Sequence, residues 1–233
     1  MKIIKQPDYE TMSRAAADFF RAAVARNPNA LICFSTGSSP RRMYEILADD
    51  PVIRGSSVRA LALDEWHGID GRHPATCRYF LERYVFEPWG IPEDRQFVFN
   101  AAAGDPEAEC ARMAELLRRE GPIDLCVLGL GRNGHLGLNE PAEFLHPHAH
   151  TAVLDEKSQT HPMLVNEGIR LARGMTFGMA DLLQAEQILM LVCGADKREA
   201  VCAFMKEEVS TGLPASFLRL HADTTVFLDA SVS

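Results

Sequence analysis

The chain has 233 residues, 47% hydrophobic and 24% charged, a length that one α/β domain reaches and a composition that excludes collagenous, low-complexity and disordered classes. Twenty-four basic against thirty-two acidic side chains leave a formal net charge of −8, and no run of lysine or arginine exceeds a pair, so neither a nucleic-acid surface nor an anionic-membrane surface is expected. An anionic substrate must then be held by local dipoles and a few cations against the global field.

From the N-terminus, Met1-Lys2-Ile3-Ile4-Lys5-Gln6-Pro7 lacks the length and cleavage site of a signal peptide. No apolar stretch approaches the roughly 20 residues that cross a bilayer, so a cytoplasmic protein is expected. A helix pattern over residues 9–25 leads through Asn27-Pro28-Asn29 into an apolar run at 30–34 with the length of a buried strand. A second strand at 58–63 precedes a helical stretch at about 74–86. Next come a helix at 107–119, strands at 123–128 and 187–193, a helix at 197–205 and a last strand at 224–228. Aliphatic runs without polar alternation indicate strands covered on both faces, which implies an α/β fold: a doubly wound, mainly parallel sheet with helices on both sides. No internal repeat or linker interrupts the chain, so residues 1–233 are expected to form one domain. The six cysteines, Cys33, Cys77, Cys110, Cys126, Cys193 and Cys202, contain no C-x-x-C pair and are expected to be buried free thiols in a reducing compartment.

In open parallel sheets, ligands bind beyond the carboxyl ends of the strands, and four polar segments fall there. Ser35-Thr36-Gly37-Ser38-Ser39-Pro40 offers small hydroxyls and a helix start, an arrangement suited to phosphate; the alternative is a capped helix without ligand. It lacks the spacing of a Walker loop. Asp64-Glu65 ends a strand beside Trp66, where partial desolvation would suit a carboxylate to moving protons on carbon; the alternative is a turn cap. The third segment runs from Gly129 to Pro141. Gly129, Gly131 and Gly134 satisfy G-x-G-x-x-G, but the chain continues into His135, Gly137 and Asn139-Glu140-Pro141 instead of a long apolar helix, which argues against a dinucleotide site. A glycine-rich backbone around a histidine and a glutamate suggests close approach to a ligand, with His135 as an acid/base oriented by Glu140. In Gly194-Ala195-Asp196-Lys197, the ammonium of Lys197 could reach an anion shared with the Thr36–Ser39 loop. His146, His148 and His150 alternate and would share one face of an extended chain, but no metal is expected, because no carboxylate or thiolate supports them.

Taken in order, STGSSP, LALDEW, GLGRNGHLGLNEP, GMADLLQAE and GADK resemble the glucosamine-6-phosphate deaminase/isomerase family, and most of all its galactosamine-6-phosphate branch. The resemblance implies a fold similar to ribose-5-phosphate isomerase and the CoA transferases. It implies conversion of a 2-amino-2-deoxyhexose 6-phosphate to a ketohexose 6-phosphate plus ammonia, without metal or organic cofactor. Residue by residue, it assigns ring opening to His135 with Glu140 as partner, C2-to-C1 proton transfer to Asp64, and phosphate binding to Thr36, Gly37, Ser38, Ser39 and Lys197. Asn133 joins the catalytic set where glucosamine-type enzymes carry aspartate; a neutral amide there implies a less basic histidine and is taken as the galactosamine-type feature. The family's phosphate-binding arginine has no clear counterpart: Arg170 and Arg173 are candidates, and His161 is a third occupant for that place.

Two other functions compete. 6-Phosphogluconolactonases resemble this chain but continue from their histidine through T-A-S-L-F-P, whereas here the residues are Leu136-Gly137-Leu138-Asn139-Glu140-Pro141, and the glutamate favours the deaminase. A sugar-phosphate sensor would not need Asp64, His135 and Glu140 together, and no basic helix-turn-helix precedes Ala30. A loop between residues 146 and 173 is expected to close over the sugar. The chain ends at Ser233, soon after its last strand, so a C-terminal extension serving allostery is not expected; homo-oligomerisation is left open.

Overall fold

Asp8 starts the first helix: its carboxylate accepts the Thr11 N–H at 2.7 Å, satisfying a donor that the helix itself leaves unpaired. The helix spans Tyr9–Arg26 and buries Met12, Ala16, Phe20 and Val24, a stripe at fourfold spacing that must lie against another element. That element is a sheet. In the computed structural model, which describes residues 1–232, the strands are β1 (Lys2–Lys5), β2 (Leu31–Phe34), β3 (Arg59–Ala62), β4 (Asp64–Trp66), β5 (Gln96–Phe97), β6 (Leu125–Gly129), β7 (His150–Val153), β8 (Arg173–Thr176), β9 (Gln187–Val192) and β10 (Thr224–Leu228). Seven of them form a sheet in the order β1-β10-β9-β6-β2-β3-β5, and every pairing in it is parallel.

Successive strand residues point to opposite faces, and both faces are covered. Ile32 and Phe34 pack with Met12, Phe20, Tyr44 and Trp89 on one side. Leu31 and Cys33 pack with Met113, Phe177 and Phe204 on the other. The first side is centred on aromatic rings in edge-on contact: the Phe34 ring lies 5.6 Å from both Tyr44 and Trp89, and Phe20 lies 5.4 Å from Trp89. Trp89 Nε1 also donates to the Tyr44 carbonyl at 3.2 Å, so the indole buries its bulk without leaving its polar atom unpaired. Covered faces explain why the central strands read as unbroken aliphatic runs.

The strand order locates the ligand crevice. From β2 the chain builds outward through β3 and β5, then returns to place β6 on the other side of β2 and builds away through β9 and β10. The reversal lies between β2 and β6, and at their carboxyl ends neighbouring connections leave in opposite directions and open a crevice.

Several elements differ from the sequence expectation. Beyond Leu63 the chain enters a second, three-stranded antiparallel sheet, β4-β8-β7, which the short, mixed-polarity segments did not announce. Edge strands β1 and β5 were equally silent. The helix expected from residue 74 begins at Cys77, because Thr76 caps it by accepting the Tyr79 N–H at 3.1 Å. It then widens into a π-turn over Glu82–Phe86 and ends after Trp89 at Gly90, whose φ of 69° favours glycine. Lys197 belongs to a 3₁₀ turn that precedes helix Arg198–Phe204. All six cysteines are free, but Cys202 is exposed and departs from the expected burial. Among the described residues, no helix is long and apolar enough to cross a membrane.

The aromatic cluster supplies a stability test. Trp89→Ala removes the ring that touches Phe20, Phe34 and Tyr44, and it should destabilise the protein by about 3–5 kcal/mol. In urea unfolding this appears as a lower midpoint at unchanged slope.

Candidate active site

A cavity of about 640 Å³ opens at the reversal between β2 and β6, within the range of sites for small polar ligands. The segments after β2, β3, β6 and β9 all reach it, so topology gathers residues that are far apart in sequence.

At one end, Gly37 precedes helix Ser38–Leu47 with φ 95° and no side-chain cap. The first N–H groups of that ten-residue helix are thus not satisfied by a capping side chain, and the helix dipole adds to their attraction for an anion. Lys197 Nζ donates to Ser39 Oγ at 3.1 Å, and the Cys193 N–H donates to the same oxygen at 3.4 Å. Burial lowers the Lys197 ammonium below its ordinary pKa, so an arriving anion would favour its charged form. Arg41, Arg83 and Arg132 also line the cavity. Local cations therefore oppose the net negative charge where an anion would sit.

In the middle lies Asp64, 9% exposed. Burial raises its carboxyl to about 6, against the lowering pull of His135 and of the Cys77 thiol, whose Sγ donates to Asp64 Oδ1 at 3.6 Å. Thr36 Oγ1 in turn donates to Cys77 Sγ at 3.5 Å. The neighbouring Glu65 has a different task. Its two oxygens accept the N–H groups of Trp66, Cys77 and Arg78 at 2.8, 2.9 and 2.8 Å, clamping β4 to the helix that carries Cys77, while burial pushes its own carboxyl up to about 8.

The third group is the glycine loop after β6. His135 Nδ1 lies 3.2 Å from Glu140 Oε2 and 3.3 Å from Ser158 Oγ. A carboxylate partner assigns the proton to Nδ1, which leaves the Nε2 lone pair for a ligand. Gly131 packs flat against this ring: a Cβ there would overlap Cδ2 and Nε2. Gly137 has φ 59°, and a Cβ would sit 2.7 Å from Thr176 Oγ1. These glycines answer a close approach of backbone to side chain, not to a nucleotide.

The structure thus brings Thr36, Gly37, Ser38, Ser39, Asp64, His135 and Lys197 around one cavity, with Glu140 and Asn133 behind His135. Arg170 and Arg173 are both exposed and line no part of the cavity; His161 does. Its ring lies 5.7 Å from Trp66 and beside Gly37, and burial lowers it to about 4, with His135, Lys197 and Arg132 adding to the effect. Residues 146–173, read as a loop, contain β7 and two helical turns, Glu156–Gln159 and Pro162–Val165. His146 and His150 stack at 4.4 Å, whereas His148 turns to Asp181 at 2.8 Å, so the three do not act as one face. Among the described residues, no group of three or more His, Cys, Asp or Glu is arranged to hold a metal ion.

Sequence reasoning missed Cys77, Asp155 and Ser158. Asp155 caps its helical turn by accepting the Ser158 N–H at 2.9 Å, and aspartate is a residue that favours such a cap. Nothing in that preference says that the turn faces His135.

Comparisons with known proteins concern the whole chain. Residues 7–227 match the family "Glucosamine-6-phosphate isomerases/6-phosphogluconolactonase". The chain is 40% identical over 219 residues to AgaI of Escherichia coli (strain K12), described as a candidate deaminase, covering 93% of this chain and 87% of that protein. It is 35% identical to a glucosamine-6-phosphate deaminase of Geobacillus sp. (strain WCH70), covering 98% and 93%. A solved structure of a monomeric glucosamine-6-phosphate deaminase superposes with TM-score 0.93 at 29% identity, covering 100% of this chain and 98% of that one. The 6-phosphogluconolactonase of Leishmania guyanensis shares the fold at TM-score 0.79 and 18% identity, covering 99% and 97%.

The contact between Gly131 and His135 is directly testable. Gly131→Ala should leave the melting temperature within a few degrees but displace the imidazole, and turnover should fall by about 100-fold or more, as for loss of a positioned acid/base. Turnover within threefold of the unmodified protein would show that the ring has no part in catalysis at that position.

Proposed function

Because the chain belongs to the glucosamine-6-phosphate isomerase/6-phosphogluconolactonase family, we propose that it deaminates and isomerises a 2-amino-2-deoxyhexose 6-phosphate, either the glucosamine or the galactosamine epimer, to a ketohexose 6-phosphate and ammonia. One observation carries this reading: a nearly dry carboxylate, Asp64, and an oriented imidazole, His135, face the same cavity, which ends in an uncapped helix start beside Lys197. Proton transfer on carbon needs the first pair, and a phosphorylated sugar needs the anchor.

The proposed sequence of steps balances with one water consumed. The phosphate binds to the N–H groups and hydroxyls of Thr36, Gly37, Ser38 and Ser39 and to Lys197, and this remote binding energy holds the sugar for reaction. His135 Nε2 takes the proton of the anomeric hydroxyl and delivers one to the ring oxygen, opening the pyranose to an aldehyde; Glu140 supports the transient imidazolium. Asp64 removes the C2 proton while the aldehyde oxygen takes one up, giving an enolamine across C1 and C2; Asp64 then returns its proton to C1 as the amine gives one up. The resulting C2 imine is hydrolysed to the ketone with release of ammonia. Side chains and water suffice for each step. The proposed catalytic unit is a single domain over residues 1–233, and the buried thiols Cys33 and Cys126 suit a reducing cytoplasm.

Glu140 stands in N-E-P where 6-phosphogluconolactonases continue T-A-S-L-F-P, and this favours the amino-sugar reaction over lactone hydrolysis. Purified protein is offered glucosamine 6-phosphate, galactosamine 6-phosphate and 6-phosphogluconolactone separately, with ammonia and ketose phosphate followed together. Ammonia from one or both amino sugars is the expected result, and the faster epimer identifies the branch. Lactone hydrolysis without ammonia contradicts the proposal.

Two further outcomes follow from Asp64. Asp64→Asn should lower turnover by about 1,000-fold or more while sugar-phosphate binding persists, because the amide keeps the shape but cannot accept the proton. The base must be ionised, and its carboxyl is raised to about 6. The kcat/KM profile should therefore rise with pH through about 6, where Asp64 loses its proton, and fall away below it. Cys77→Ala removes a donor that favours the ionised form and should move this limb to higher pH; a limb that stays in place or moves down would separate Asp64 from it.

A further inference from the structure

Asn133 is an amide placed between two carboxylates. Its Nδ2 donates to Glu140 Oε2 at 2.8 Å and to Asp155 Oδ2 at 2.6 Å, and its Oδ1 accepts the His135 backbone N–H at 3.2 Å. Both amide hydrogens are used, and the orientation is forced: turned over, the amide oxygen would face two carboxylate oxygens. The other oxygen of Asp155 accepts the Ser158 N–H at 2.9 Å and caps the turn Glu156–Gln159. The Ser158 hydroxyl then lies 3.3 Å from His135 Nδ1. Asp155 thus reaches the imidazole by two routes, through Asn133 and Glu140 and through Ser158, without touching it.

Glu140 makes the first route consequential. Its Oε2 serves both His135 and Asn133, whereas Oε1 is buried with no hydrogen-bond partner among the described residues. The two bonds thus converge on one oxygen, and an amide free to turn would take away one of its two donors. The same amide keeps two anions apart: the O–H–N geometry at 2.6 and 2.8 Å replaces what would otherwise be direct repulsion.

We propose that Asp155 is a positioning residue of the acid/base centre, locking the Asn133 carboxamide and the Ser158 turn so that Glu140 and Ser158 both stay on His135 Nδ1. A neutral residue at position 133 then does not leave the imidazole short of carboxylates, because Asp155 brings a second one from a segment 22 residues away. The kinetic part of this proposal rests on the deaminase reading above; the geometric part does not.

The test uses Asp155→Ser, Asp155→Asn, Asn133→Asp and the double variant Asn133→Asp with Asp155→Asn, all in the full chain. Serine still caps a helical turn but is too short to reach Asn133, so it separates folding of the turn from positioning. Asp155→Ser should keep its melting temperature, lower kcat roughly 10- to 100-fold, the scale of a lost bond to a charged group, and change KM by less than about threefold, because the phosphate anchor is elsewhere. Asn133→Asp crowds three carboxylates and should be at least as damaging. Asn133→Asp combined with Asp155→Asn returns the count to two, and should be less impaired than the product of the separate losses. Independently of turnover, the Asn133 side-chain amide signals in a ¹H–¹⁵N spectrum should shift and exchange faster in Asp155→Ser. Unchanged kcat, multiplicative losses in the double variant, or unmoved amide signals would each overturn the proposal. Absence of ammonia release by the unmodified protein would overturn the deaminase reading instead, and the amide signals would still decide the role of Asp155.

Discussion

Asp64 is a carboxylate kept dry where one sheet hands the chain to the next, and much of the structure follows from holding it there. β3 ends at Ala62 and β4 begins at Asp64; the intervening Leu63 gives its N–H to Phe34 and takes the Phe177 N–H at 3.0 and 3.1 Å. Both sheets therefore grip the residue before the carboxylate, and its position is fixed by backbone bonds instead of by a salt bridge. Burying a charge without a cation disfavours ionisation, and this is the property that brings its titration close to neutrality. A solvated aspartate would be too weak a base at the same position.

The surrounding elements divide the remaining work. Glu65 spends its carboxylate on three backbone donors and so fixes the helix whose Cys77 touches Asp64. The glycine loop lets His135 lie against Gly131 instead of projecting over it. Helix Ser38–Leu47 starts without a side-chain cap, and Lys197, in the turn after β9, donates to the Ser39 hydroxyl of that helix. Four strand ends contribute, yet the contributions meet because the strand order reverses between β2 and β6.

Much of this was legible in the sequence, for physical reasons. Strands covered on both faces must be continuously apolar, so β2, β3, β6, β9 and β10 were visible as short aliphatic runs, and their all-parallel order fits the doubly wound sheet inferred from them. A serine- and threonine-rich helix start and a histidine set among glycines leave local marks, because each depends on backbone conformation within a few residues. The antiparallel sheet left none: β4, β7 and β8 are three or four residues long, and β8 holds β4 from more than 100 residues away along the chain while pairing with β7 on its other side. Asp155 and Cys77 were invisible for the same reason. A polar residue that acts on a partner 22 or 13 positions away looks, in sequence, like any cap or core thiol.

The central claim is that Asp64 breaks the C2–H bond, and deuterium at C2 of the amino sugar phosphate tests it most directly. Turnover of the C2-deuterated substrate should show a primary isotope effect wherever proton transfer limits the rate. The deuterium should leave C2, appear in part at C1 of the ketose phosphate, and do neither with Asp64→Asn. Ammonia released with deuterium still at C2, or label transfer of the same extent without the Asp64 carboxylate, would contradict the claim.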